Sequence, residues 1–146
     1  MSSITREAFE KLINEYKSNM YRLALGILQN QYDAEDAVSE SVLKAYENLV
    51  KLRNADKFKA WILQITANEA RLLYKKQKRQ LYTENIESYM PVFEEDYHEL
   101  WDVVMQLQRP YREVILLFYY EQFSITEIAR ILQIREGTVK SRLARG

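Results

Sequence analysis

The sequence predicts an all-α fold of two small helical domains joined by an acidic linker, and three observations carry that expectation. Glycine and proline are scarce: Gly26, Gly137, Gly146, Pro91 and Pro110 are the full set in 146 residues, whereas sheet-containing folds need many turn residues. Apolar residues recur at spacings of three and four over long stretches, as in helices with one buried face. Charge is partitioned along the chain: residues 1–80 hold 14 Lys+Arg against 10 Asp+Glu, residues 81–102 none against 7, and residues 103–146 hold 7 against 4. Two mildly basic blocks thus flank an acidic one, which places the domains at 1–80 and 98–146 with the linker at 81–97.

Composition also narrows the function. A hydrophobic fraction of 47% with 29% charge is that of a folding chain. The absence of cysteine rules out disulfides, thiolate zinc sites and thiol nucleophiles. The single histidine, His98 in EEDYHELWD, cannot build a multi-histidine metal site. No phosphate-cradling glycine loop is present, and Asp33, Glu35 and Asp36 read as a helix start rather than an acid–base pair. No cofactor, metal or catalytic residue is therefore expected, and the chain is not expected to be an enzyme. No apolar run approaches the roughly 20 residues of a membrane span, and the opening MSSITREAFEKL is charged where a signal peptide is apolar. A cytoplasmic location is expected.

In chain order, the first helix is predicted from about Thr5 to Leu28, with Phe9, Leu12, Ile13, Tyr16, Met20, Leu23 and Ile27 on its inner face. The second begins with Asp33 as N-cap and Asp36 in the first turn, both favoured at the positive end of the helix dipole. Its inner stripe is read as Val38, Val42, Ala45, Tyr46 and Leu49. The third runs from about Lys57 to Gln80, with Phe58, Trp61, Ile62, Ile65, Leu72 and Leu73 apolar and a basic end at Arg71, Lys75, Lys76, Lys78 and Arg79. Taken alone, that end is also what a solvated helix terminus carries. Residues 81–97 lack a sustained period and contain Pro91. A helix from about Tyr97 to Leu107 follows, broken before Pro110, whose ring disfavours helix at Arg109 and can open the next helix, Tyr111 to Glu121, at its first position. A block of this size is marginal alone, so packing against the first domain or a partner is expected to support it.

The most specific local pattern is SITEIARILQIREGTVKSRLARG. Ser124 and Glu127 form a capping box that opens a helix with Ile128 and Leu132 inward and the small Ala129 at the crossing. A turn at Gln133 to Arg135, plugged by Ile134, leads to a second helix with Val139 and Leu143 inward. This is a helix-turn-helix pattern, in which the second helix enters the major groove. Its outward Glu136, Thr138, Lys140, Ser141, Arg142 and Arg145 can reach phosphates and base edges. Gln133 stands where many such turns carry glycine, and a helical hairpin that binds no DNA is the plainer alternative.

Those residues carry a resemblance. YREVILLFYYEQFSITEIARILQIREGTVKSRLARG resembles the fourth region of extracytoplasmic-function sigma factors of the sigma-70 family, and DAEDAVSESVLKAYENL with FKAWILQITANEARLLYKKQKR resembles their second region. The resemblance implies a sigma factor that binds core RNA polymerase and directs promoter-specific initiation, with a conventional helix-turn-helix regulator as the alternative. It implies docking of Asp36, Glu40 and Lys44 on the clamp helices of the largest polymerase subunit, with Ser39 departing from the glutamine common there, and docking of the fourth region on the flap. It implies contact with the −10 element by Phe58, Trp61, Asn68, Arg71, Tyr74, Lys75 and Lys76, with Asn68 in a pocket for a flipped base. Against that, Phe58 and Trp61 also fit an apolar helix face, and at least one of them is expected to be mostly core. Contact with the −35 element falls to Arg135, Thr138, Lys140, Ser141, Arg142 and Arg145. It implies an anti-sigma factor, often membrane-anchored, as a further partner, and a linker, ENIESYMPVFEED, that threads toward the polymerase active centre. Members usually continue with more basic helix beyond the point matching Gly146, so the recognition helix is expected to be short.

Overall fold

Caps set the first two helices. Thr5 Oγ1 accepts a hydrogen bond from the Ala8 N–H at 3.1 Å and starts α1 (Arg6–Leu28), which ends where Gln29 turns left-handed at φ 54°. Asn30 then accepts from the Asp33 N–H at 3.0 Å and caps α2 (Gln31–Glu47). This corrects the expectation that Asp33 is the cap: it lies in the first turn, where its charge still favours the helix dipole. A short 3₁₀ turn (Leu49–Lys51) follows α2, and another (Ala55–Lys57) leads directly into α3 (Phe58–Lys78). The computed structural model describes residues 5–52, 55–78 and 98–145. The acidic linker, residues 81–97, lies outside the described residues, and no strand occurs among those described.

Helices α1, α2 and α3 pack around Phe9, Ile13, Met20, Leu23, Ile27, Val38, Phe58, Ile62 and Leu63. Small residues do more than the sequence pattern suggests. Ala34, Ala37 and Ala45 on α2, with Ala67 and Ala70 on α3, are buried and let the backbones approach. Ser41 and Thr66 are buried too, each hydroxyl donating to the carbonyl four residues back, Ala37 at 2.6 Å and Ile62 at 2.8 Å. Two expected core residues are corrected: Tyr46 and Leu72 are both more than half exposed. The alanines fill the positions against the neighbouring helices, and Leu72 is left at the rim of the groove between α2 and α3.

In the second half, α4 (His98–Met105) turns into α5 (Arg109–Ile115), which widens over Leu116–Tyr120 into a π-helical turn. Arg109 is the first helical residue and Pro110 the second, one earlier than expected, because the extended Gln108 serves as the cap. Pro110 still falls in the first turn, where a backbone N–H is not needed. Helices α6 (Ile125–Leu132) and α7 (Glu136–Arg145) complete the chain. The two halves share one buried cluster, in which Leu116 and Met105 of the second half close on Gly26 of α1. A side chain at Gly26 would collide with Leu116. The second half thus rests on the first, the support that its small size calls for.

Candidate nucleic-acid interface

The helix-turn-helix forms as its caps dictate. Ser124 Oγ accepts from the Glu127 N–H at 3.1 Å, and Glu127 accepts from the Ser124 N–H at 2.9 Å. Gln133 takes the left-handed conformation at φ 58° that glycine often supplies. The Ile134 N–H donates to the Ala129 carbonyl at 3.0 Å, fixing the corner. Ile128, Leu132 and Val139 are fully buried and Leu143 packs against them. Outward on α7 and the turn before it, Arg135, Lys140, Ser141 and Arg145 are exposed, while Thr138 and Arg142 are half-buried at the helix edge. Four of the six candidates are therefore exposed, and two are partly covered.

On α3 the seven candidates divide. Phe58 is fully buried, its ring 6.1 Å from Phe9 and 5.8 Å from Trp61, so in this arrangement it supports the surface from within and touches nothing outside. Trp61 is half-buried and opens onto a groove of about 690 Å³ shared with Tyr16, Gln64, Phe123 and Arg130. Trp61, Asn68 and Lys75 stand two turns apart and share a side of α3. Lys76 faces elsewhere, into a groove of about 470 Å³ with Asp36, Glu40, Glu69, Leu72 and Leu73. Lys44 reaches into the same region, donating to Glu69 at 2.6 Å, a bond that raises its pKa. Of the polymerase-docking candidates, Asp36 and Glu40 are exposed and Lys44 is tethered to α3.

Arg71 and Tyr74 are held by the second half. The Arg71 guanidinium forms a two-pronged pair with Glu113, at 3.2 and 3.1 Å, and donates to the Leu132 carbonyl at 2.7 Å. Arg109 also reaches Glu113, at 3.4 Å, and lies over the Tyr74 ring at 4.6 Å. A second cluster surrounds the buried Glu121: Asn19 donates to it at 2.5 Å, Arg22 at 3.2 Å, and Lys59 sits 3.5 Å from its carboxylate while donating to its backbone carbonyl at 2.9 Å. Lys59 also lies 4.9 Å over the Phe123 ring. A third contact is Arg112, which donates to the Gly26, Ile27 and Leu107 carbonyls and so satisfies the otherwise open end of α1. Burial pulls its pKa down to about 10, opposed by Glu113, so it remains cationic at neutral pH. Sequence reading passed over Arg22, Lys59, Arg112, Glu113 and Glu121. The signal available was two glutamates and an arginine inside the apolar run YREVILLFYYEQF, where charge is costly unless paired.

Two helical halves, a capped helix-turn-helix with a cationic outer face, and an aromatic and basic helix in the first half define a DNA-binding helical protein. Residues 12–80 match the family model "Sigma-70 region 2" and residues 97–146 match "Sigma-70, region 4". The chain is 33% identical to the RNA polymerase sigma factor SigV of Bacillus subtilis (strain 168), over 97% of this chain and 87% of the relative. It is 31% identical to the ECF RNA polymerase sigma factor SigW of the same organism, over 97% and 86%. In solved structures it is similar to the sigma factor RpoE in complex with the anti-sigma factor NepR from Bartonella quintana, with TM-score 0.79, 23% identity, and coverage of 94% and 90%. It is also similar to CnrH in complex with the cytosolic domain of CnrY, with TM-score 0.68, 22% identity, and coverage of 97% and 83%. The chain belongs to the extracytoplasmic-function sigma factors of the sigma-70 family. It is accordingly an RNA polymerase sigma factor, a transcription initiation factor that acts with core polymerase on promoter DNA. No helix among the described residues is long and apolar enough to cross a membrane.

Proposed function

We propose that the chain works as a two-site promoter reader of the cytoplasm with no catalytic activity of its own. Residues 1–80 serve core polymerase and the −10 element, and residues 98–146 serve the −35 element and the polymerase flap. The observation that carries this reading is the outer face of the helix-turn-helix, where Arg135, Lys140, Ser141 and Arg145 are exposed on a helix whose inner face is locked by Val139. On α2, Asp36 and Glu40 offer carboxylates to the clamp helices, and Lys44, paired with Glu69, shapes the groove beside them. On α3, Trp61 supplies a stacking surface, Asn68 a polar group for one flipped base, and Lys75 a phosphate contact. An anti-sigma factor holds the protein inactive, a reading supported by the similar structure of the sigma factor RpoE, solved in complex with the anti-sigma factor NepR.

Run-off transcription tests this reading. The full chain with core polymerase is expected to yield transcripts from a subset of a promoter library, and neither component alone is expected to yield them. Absence of promoter-specific transcripts, together with failure to co-elute with core polymerase on gel filtration, overturns it.

A further inference from the structure

We propose that the polymerase dock of α2 continues onto α3, where Leu72 and Lys76 contact a clamp helix, so that Lys76 serves the polymerase rather than the −10 strand. The proposal rests on the reading of Asp36 and Glu40 as docking residues. Leu72 is 57% exposed, the one large apolar side chain of α3 left so open among the described residues. It stands at the rim of the groove of about 470 Å³ that Asp36, Ser39 and Glu40 line from α2. Glu69, Leu72 and Lys76 follow one another on α3 at spacings of three and four, and all three line that groove. The same space that holds the docking carboxylates thus holds an uncovered leucine and an ammonium of the neighbouring helix.

Charge decides what can enter. Glu69 is already neutralised by Lys44 at 2.6 Å, whereas Asp36, Glu40 and Lys76 form no ion pair among the described residues. A phosphate seated on Lys76 would meet the carboxylates of Asp36 and Glu40 in the same groove, and like charges so placed repel. A protein helix meets no such conflict. It can set basic side chains on Asp36 and Glu40, an acidic one on Lys76 and an apolar one on Leu72, the apolar centre with a charged rim that protein interfaces have. Lys75 is the contrasting case. It is displaced from Lys76 by about 100° around the helix, shares the side of Trp61 and Asn68, and does not line the groove. Two consecutive lysines therefore address two partners, Lys75 the strand and Lys76 the polymerase.

Surface plasmon resonance of full-chain variants on immobilised core polymerase tests this, together with run-off transcription at rising core concentration. Leu72→Gln and Lys76→Glu are each expected to weaken core binding by about tenfold, the scale of a contact that matters in a protein interface. Lys76→Arg is expected to retain binding, and Lys75→Glu to change it by less than about twofold, as surface changes outside an interface do. The transcription defect of Lys76→Glu is expected to disappear once core polymerase saturates the variant, and that of Lys75→Glu to persist. Leu72 and Lys76 are exposed and their replacements are good helix formers, so the fold is expected to hold. Should Leu72→Gln lose its helical circular dichroism, Lys76→Glu decides alone. Wild-type core affinity in the folded variants, with Asp36→Lys impaired, overturns the extension onto α3. If Asp36→Lys is also without effect, the dock on α2 is wrong and the proposal falls with it. A Lys76→Glu defect that persists at saturating core polymerase returns Lys76 to the strand. A self-association of the free chain that Leu72→Gln abolishes, with core binding unchanged, gives the groove to a second copy; both outcomes overturn the proposal.

Discussion

Helices α7 and α3 are both assigned to DNA, yet the fold treats them differently. On α7 the cations Lys140 and Arg145 are exposed and have no ion pair among the described residues, while Val139 and Leu143 lock the helix from its inner side. On α3 the inner face is shared: Phe58, Ile62 and Leu63 hold the first half together, while Arg71 and Tyr74 at the same helix's later turns engage the second half. A recognition surface on a helix whose packing is confined to one side can stay displayed. One built on a central helix that packs on both sides is available only when a neighbour moves.

The sharpest test of that contrast separates Phe58 from Trp61. Phe58 is fully buried among Phe9, Tyr16 and Trp61, so Phe58→Ala is expected to cost about 3–5 kcal/mol of stability. Trp61→Ala, at the groove edge, is expected to cost much less stability but to impair open-complex formation by the folded protein. Urea denaturation and permanganate footprinting of the melted promoter measure the two effects. Equal destabilisation by both changes breaks the division of α3 into a structural and a DNA-facing aromatic.

Next in size is the seam between the two halves. Arg112→Met leaves the carbonyls at the end of α1 without their charged donor, and hydrogen bonds to charged groups contribute about 1.5–3 kcal/mol each, so a loss of about 2–3 kcal/mol is expected in chemical denaturation. Arg112→Lys is expected to rescue little, since an ammonium cannot reach three carbonyls as a planar fork does. A nearly full rescue by lysine sinks the capping account.

On α7, Arg142→Ala is expected to cost about 1–3 kcal/mol in discrimination of one base pair of the −35 duplex, the usual worth of a two-pronged arginine contact. Because this face is displayed already, the loss is expected to be the same in the wild type and in Gly26→Leu, whose new side chain wedges the seam against Leu116. A loss that depends on the wedge couples α7 to the seam and removes the contrast between the two helices. Fluorescence anisotropy with duplexes altered one base pair at a time measures it.

Much of this arrangement was legible in the residues. The capping box at Ser124 and Glu127, the corner at Ile134 and the buried Val139 are local features, and local spacing suffices to read them. Tyr46 and Leu72 were misread because an apolar side chain at a helical spacing looks inward until alanines such as Ala45 and Ala70 are known to bring the helices close. The seam was not legible for a different reason. Arg71 and Glu113 are 42 residues apart, and Arg22 and Glu121 are 99 apart. Arg22 and Arg71 read alone as solvated surface charges, and although Glu113 and Glu121 stand in an apolar run, only the approach of the halves identifies their partners.

The smallest effect concerns how Asn68 and Lys75 divide the labour along one side of α3. Lys75 is exposed near the end of the described helix, with no ion pair among the described residues, whereas Asn68 is half-buried two turns earlier. A flexible point charge stabilises any phosphate, and its removal is expected to reduce the slope of log affinity against log salt by about 0.7 for single-stranded DNA, equally for all sequences. A fixed amide instead pairs with one base edge, so Asn68→Ala is expected to leave the salt slope unchanged and to flatten preference at a single position of the −10 strand. Both are best measured in the Gly26→Leu background, where Arg71 no longer competes with the second half for the same strand. If Lys75→Ala alters preference at one base, or Asn68→Ala weakens every sequence alike, the two residues do not share a track in which one reads and the other only attracts.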